Sequence, residues 1–342
     1  MTHKERFLAT VERKPVDYPA SWLGLPSADA IPSLYDFFGV NDLRGLQEVV
    51  NDDIYPVELP CTFPGGPIYA ALQFAKEQTG RSLTTPGFFE DISDPERIIE
   101  FDWPDPAKYI DPVVCRDVVR SAPPDRAVMG ILWSAHFQDA CSAFGMEQAL
   151  IKMIEEPEMF RAVIDRITEF YLQANRIFYE AAHTNLDAVL IGNDFGSQTG
   201  LILSASMIKE FVMPGTQQFV KQAKEYGIKV MHHACGAVSE IIPDLIEVGV
   251  DIVHPIQALA TGMEPGKLKE SFGNTVSFCG GVDAQNLLVN GTPEEVKDKV
   301  YELKKIFPTG LIISPSHEAI LPDMAPENIK ALFGAVHSYV IR

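Results

Sequence analysis

Residues 232–235 read His-His-Ala-Cys, between the apolar run "KVM" and the helix-like stretch "GAVSEIIPDL". Side chains in an extended strand alternate faces, so His233 and Cys235 share one face and His232 takes the other. An imidazole and a thiolate one pleat apart suit zinc, and a catalytic zinc needs a third protein ligand plus an open position for substrate. The plainer reading of His-x-Cys is a buried strand end, because free cysteine is among the most buried residue types. Metal is favoured because further ligand types close neighbouring apolar runs: Cys279 after "TVSF", and His317 with Glu318 in "SPSHEAILPD". Each of these three is a candidate third ligand. His232, on the opposite face, reads as structural.

Other residues at the ends of apolar runs suggest catalysis and binding. Asp194 in "IGNDFGSQTG" is a candidate to hydrogen-bond a substrate or protonate a leaving oxygen, with a capping role as the alternative. Asp53, after "VVND", is a candidate for similar work or for bracing an arginine. Trp22, Tyr55, Phe63, Trp133, Phe137 and Phe195 are candidates for an aromatic lining. Among these, Trp133, Tyr55 and Phe195, together with His254, are the substrate-binding candidates.

From about residue 125 short apolar runs alternate with helical patterns without a break. The runs are "AVMGILW" (127–133), "DAVLIGN" (187–193), "IKVMHHA" (228–234), "DIVHPI" (251–256), "TVSFCGG" (275–281) and "GLIISPS" (310–316). Strands followed by crossover helices imply a parallel sheet, and continuous apolar character implies burial on both faces. Six such units, with room for two more between residues 45 and 110, predict an α/β fold of the (β/α)8 TIM-barrel type. It would be one domain spanning 1–342, with N-terminal helical additions and "VNDDIYPVELP" as an early strand. A doubly wound sheet is the runner-up, but no Gly-rich fingerprint follows any strand. In either architecture ligands bind at the carboxyl ends of the strands.

Composition narrows the function class. With 46% hydrophobic and 22% charged residues the chain of 342 can build a sizeable core. A formal net charge of −19, from 28 Lys+Arg against 47 Asp+Glu, disfavours nucleic acid as a partner. The N-terminus lacks an apolar leader and no stretch reaches the roughly 18 apolar residues of a membrane span, so a cytoplasmic protein is expected. Five scattered cysteines predict reduced thiols rather than a disulfide framework.

The segments "HHACGAVSEIIPDLIEVGVDIVHPIQ", "FCGGVDAQ" and "IISPSHEAILPDMAPENIKAL" resemble the uroporphyrinogen decarboxylase superfamily, and the resemblance runs from "KERFLATVERKPVDYPASW" to the C-terminus. It implies a (β/α)8 barrel and one of two activities, the decarboxylase of haem biosynthesis or zinc methyltransferases that work with corrinoid proteins. The decarboxylases share an arginine-bearing "RQAGRY" segment that holds porphyrinogen carboxylates; here the corresponding "PASWLGLPSADAIPSLYDFFG" contains no arginine. Asp53 in "DDI" is similar to the decarboxylase "SDI" residue, and His317 to the histidine of "GHGILP".

The methyltransferase branch carries His-x-Cys and a distant third ligand, usually Cys, which implies zinc on His233 and Cys235 with His317, Glu318 or Cys279 completing the set. In that branch a two-thiolate zinc activates a substrate thiol, whereas exchanging one thiolate for neutral His makes the metal a stronger Lewis acid. The resemblance therefore implies O-demethylation: methyl moves from a methoxylated aromatic to the Co(I) corrinoid (cobalamin) of a separate protein. Methylcorrinoid:thiol transfer, uroporphyrinogen decarboxylation and a non-catalytic binding relative are the alternatives. The implied partners are a corrinoid protein and a small-molecule methyl donor, and homodimers are common among such barrels.

Overall fold

The computed structural model describes residues 1–62 and 86–338; Phe63 lies outside them. The strands are β1 (Leu25–Pro26), β2 (Ile54–Glu58), β3 (Ala127–Trp133), β4 (Ala188–Gly192), β5 (Lys229–His233), β6 (Ile252–Ile256), β7 (Ser277–Val282), β8 (Leu311–Pro315) and β9 (Ala319–Ile320). β2 to β8 form a parallel sheet in sequential order, while β1 and β9 make a separate parallel pair. Each of the six apolar runs becomes a strand, as buried parallel strands should, and "VNDDIYPVELP" supplies β2.

Residues 20–22 fill the ring between β8 and β2. The Trp22 amide donates to Ile313 O at 3.1 Å, the Ile313 amide to Ala20 O at 2.8 Å, and the Asp53 amide to Ser21 O at 2.9 Å. The eighth position of the expected barrel is therefore an extended segment. Alternation divides the core into two layers. Ala127, Met129 and Ile131 of β3 pack inside the ring with Leu190 and Met231, while Val128 joins the layer between strands and helices. Phe7 and Val11 of helix His3–Val11 belong to the inner cluster, so this N-terminal addition plugs the amino end of the barrel. Outside, helix Pro157–Ala182 buries Phe160, Val163, Ile164, Ile167, Tyr171 and Phe178 along one face, the spacing of an amphipathic helix.

One device recurs at the amino end. Asp53, Asp187 and Asp251 stand immediately before β2, β4 and β6. Their carboxylates accept backbone N–H bonds from the preceding ring position: Ser21 at 2.8 Å, Val128 at 3.0 Å and Val230 at 2.7 Å. Each also meets a cation, Arg6 at 2.6 Å, Lys4 at 2.8 Å and Lys224 respectively. Asp53 is thus a brace at the end opposite the strand carboxyl termini, which corrects its candidacy as a catalytic group. The "VV" before it ends helix Leu43–Val50 rather than a strand.

Arg6 also holds Asp17, with Nε to Oδ1 at 2.7 Å and a second bond to Oδ2 at 2.9 Å. Arg6→Ala would leave the fully buried Asp53 without its guanidinium, and a loss of about 3–5 kcal/mol is expected in urea unfolding. A loss under about 1 kcal/mol would show that the pair adds nothing net. The hydrogen bonds from Arg6 hold Asp17 well below the usual carboxylate range. Its contribution is therefore complete above the unfolded value near pH 4 and is lost as pH falls through the depressed folded value; Asp17→Asn should flatten the acid limb of Tm against pH.

Candidate functional site

Two residues beyond the inner-core positions Ile131, Leu190, Met231, Ile252 and Ile312 come Trp133, Gly192, His233, His254 and Ser314, the next inward layer toward the mouth. Continuing the same parity, Asp194 and Cys235 follow β4 and β5. The Asp194, His233 and Cys235 ligand atoms lie within 4.8 Å of one another, the one such group of three or more among the described residues. Asp194 Oδ1 is 3.2 Å and Cys235 Sγ 3.2 Å from His233 Nε2. The Cys235 amide donates to Asp194 Oδ1 at 3.0 Å and Gln138 Nε2 to Oδ2 at 3.1 Å.

Glycines make this approach possible. A Cβ on Gly192 would stand 2.7 Å from His233 Cβ and collide with the His233 carbonyl, and one on Gly196 would lie 2.6 Å from Cys235 O. Only bare backbone lets β4 and its following loop lie so close to His233 and Cys235. On the other side Trp133 meets the His233 ring edge-on at 5.4 Å. Trp133 and Ser134 both take left-handed backbone, φ 57° and 51°, a strain of the kind stored at functional sites.

The electrostatics centre on His233. Burial opposes its charging, but the hydrogen bonds to Asp194 and Cys235 and the nearby Glu318 carboxylate outweigh it and push the imidazole well above its ordinary value. Burial likewise raises Asp194, yet bonds to His233 and the Cys235 amide hold it well below the usual range. Both Asp194 oxygens accept hydrogen bonds here, Oδ1 from the Cys235 amide and Oδ2 from Gln138. Burial raises the Cys235 thiol against the pull of His233. Three acidic groups thus converge on one imidazole, an arrangement that a divalent cation held by N, O and S donors would satisfy.

The remaining candidates sort by layer. His254 is fully buried, with Nδ1 3.0 Å from His233 Nδ1, so it lies behind His233 rather than against the open mouth. Glu318 Oε2 reaches His233 Nδ1 at 3.5 Å, on the side away from Asp194 and Cys235. His317 stands at the rim, its ring 6.3 Å from that of His233. Cys279 faces inward but is fully buried in the barrel core beside Ile312, its register partner, and burial drives its thiol well above the usual value. Depth separates Cys279 from the cluster. Tyr55 turns outward into the strand–helix layer, because Ile54 takes the inward place. Phe195 and Phe137 are also buried in that outer layer, Phe195 stacked on His232 at 6.0 Å. Of the expected aromatic lining Trp133 remains beside His233, with Trp22 in the core next to His254 at 5.3 Å.

Sequence reasoning overlooked Gln138 and the role of Asn193. Asn193 Oδ1 accepts from the Phe137 and Gln138 amides at 2.9 and 3.3 Å, fixing the start of helix His136–Phe144 so that Gln138 reaches Asp194. No local motif marks Gln138, whose partner lies far along the chain in the loop after β4.

Residues 81–339 match the family described as uroporphyrinogen decarboxylase (URO-D). A methylated-thiol–coenzyme M methyltransferase of Methanosarcina mazei is 27% identical over 171 residues, 50% of this chain and 43% of that protein. A uroporphyrinogen decarboxylase of Pelodictyon phaeoclathratiforme is 25% identical over 189 residues, 53% of this chain and 49% of that one. The chain thus spans about half the length of the curated relatives it matches. A solved methyltransferase from Methanosarcina mazei shares the fold, with a TM-score of 0.70 over 98% of both chains at 18% identity. With the family match running from ahead of β3 to beyond β9, the chain belongs to the uroporphyrinogen decarboxylase (URO-D) family.

Proposed function

We propose that this protein is a metal-dependent methyltransferase that moves a methyl group from a methoxylated substrate to the corrinoid of a separate protein. The observation that carries the reading is the convergence of Asp194, His233 and Cys235 at the carboxyl end of the barrel. One carboxylate, one imidazole and one thiol form a donor set suited to zinc, and the three residues would hold it by Oδ, Nε2 and Sγ. A zinc ion there would supply Lewis acidity toward the donor's oxygen, stronger with one thiolate among its ligands than with two.

The protein's own groups do the rest. Asp194, kept ionised and held by Gln138, stays available as an acceptor, and the edge-on Trp133 offers an aromatic wall beside His233. Methyl transfer to the corrinoid breaks the C–O bond and leaves an alkoxide or phenolate, which takes its proton from solvent at the mouth. Transfer from a methylcorrinoid to a thiol is the second reading, favoured by the name of the Methanosarcina relative. Decarboxylation of a polycarboxylate is less well supported, because Arg6, near the N-terminus, is committed to Asp17 and Asp53 at the opposite end. Among the described residues no helix is long and apolar enough to cross a membrane.

Elemental analysis of the purified protein is expected to find one zinc per chain, falling below about a tenth in His233→Ala and Cys235→Ala with the fold retained by circular dichroism. A folded, zinc-free parent would refute the proposal. Gly192→Ala should also lose zinc, since its new methyl displaces His233 while all three ligand residues keep their identity. With a Co(I) corrinoid protein, methoxylated aromatics should bleach the Co(I) absorption. Return of the Co(I) absorption when a thiol is added to the methylcorrinoid protein, without bleaching by methoxylated aromatics, would support the second reading.

A further inference from the structure

We infer that Glu318 and His254 are positioning residues that turn His233 so that its Nε2 lone pair faces Asp194 and Cys235. The inference rests on the metal-holding reading above, and adds how the imidazole is made a ligand.

His233 has polar neighbours on both ring nitrogens. Asp194 Oδ1 and Cys235 Sγ face Nε2, each at 3.2 Å, while His254 Nδ1 at 3.0 Å and Glu318 Oε2 at 3.5 Å face Nδ1. To hold a cation at Nε2 the imidazole must be neutral, with one hydrogen. If that hydrogen sits on Nε2 it is donated to Asp194 and the lone pair is spent; if it sits on Nδ1 the lone pair is free for a cation. Acceptors on the Nδ1 side therefore select the ligating form, as carboxylate partners of metal-bound histidines do elsewhere.

Both neighbours suit that role. Glu318 Oε2 is buried and has no hydrogen-bond partner of its own. His317 Nδ1 lies 3.3 Å from it, but that nitrogen already accepts the Ala319 amide at 3.0 Å and in its neutral form has no hydrogen to give. His233 Nδ1–H is the donor left to it. His254 is fully buried, and its Nδ1 stands 3.0 Å from His233 Nδ1. With its own hydrogen on Nε2, an atom without a hydrogen-bond partner among the described residues, His254 would accept at Nδ1 from His233.

The backbone around Glu318 is fixed as well. Glu318 O accepts the Leu25 amide at 2.6 Å, and the β1–β9 pair begins at the next residue. Gly24, at φ +90°, lies directly on the Glu318 carbonyl, where a Cβ would collide. The two-residue sheet outside the ring thus sets the reach of Glu318.

The test measures the zinc dissociation constant by chelator competition, and the absorption spectrum of the Co2+-substituted protein, for the parent, Glu318→Gln, His254→Gln and Gly24→Ala. Glu318→Gln is expected to weaken zinc about 10- to 100-fold, with His254→Gln in the same direction. The thiolate-to-cobalt band should persist, because Cys235 still ligates, while the ligand-field bands shift. Gly24→Ala, which moves the Glu318 backbone without touching its carboxylate, should weaken zinc as well. Affinities of Glu318→Gln and His254→Gln within about threefold of the parent overturn the inference while leaving the metal reading intact. Outright loss of zinc in Glu318→Gln, equal to that in Cys235→Ala, overturns it by making Glu318 a direct ligand. A parent that binds no zinc removes the metal reading and this inference together.

Discussion

The imidazole of His233 is contested from both sides, by a carboxylate and a thiol at Nε2 and by a histidine and a carboxylate at Nδ1. To hold a cation this ring must be neutral, with one hydrogen, and the placement of that hydrogen decides which nitrogen can ligate. Much of the surrounding structure serves this one ring. Gly192 and Gly196 clear space beside it, Asn193 sets Gln138 against Asp194, and the small β1–β9 sheet brings Glu318 to its far side.

The two ends of the barrel divide the electrostatic work. At the amino end Asp53, Asp187 and Asp251 each meet a cation and cap a strand amide, with Arg6 serving both Asp17 and Asp53. At the carboxyl end the acidic groups outnumber their partner, since Asp194, Cys235 and Glu318 all lean on His233. Complete pairing stabilises a fold, whereas incomplete pairing of buried groups creates demand for a ligand.

Much of this was legible in the sequence. The six apolar runs became β3 to β8 because strands buried on both faces read as unbroken hydrophobic stretches. Alternation correctly brought His233 and Cys235 to one face. Carried from Ala188 through Leu190 and Gly192, the same parity points Asp194 to that face too, although the residue read as a substrate-bonding, proton-donating or capping carboxylate rather than as a ligand. Cys279 had the right parity but the wrong depth, since depth depends on register with β8. Asp53 was misplaced because "VV" is apolar in a helix as readily as in a strand. Residues 20–22 were illegible: three residues show no period, and their partners in β8 lie at the far end of the chain.

That closure sets an order of events during synthesis. Residues 20–22 complete the ring only by pairing with Ile313, and Leu25 meets Glu318, so an early segment must wait for one of the last to emerge. Contacts so distant in sequence form late and slowly. Asp194, His233 and Cys235 all leave the ribosome well before Glu318, so a partly made chain carries these three residues before the carboxylate that faces His233 Nδ1. On the proposed metal reading, full affinity for a cation would arrive only with the last segments of the chain, when β8 and Glu318 meet residues 20–25.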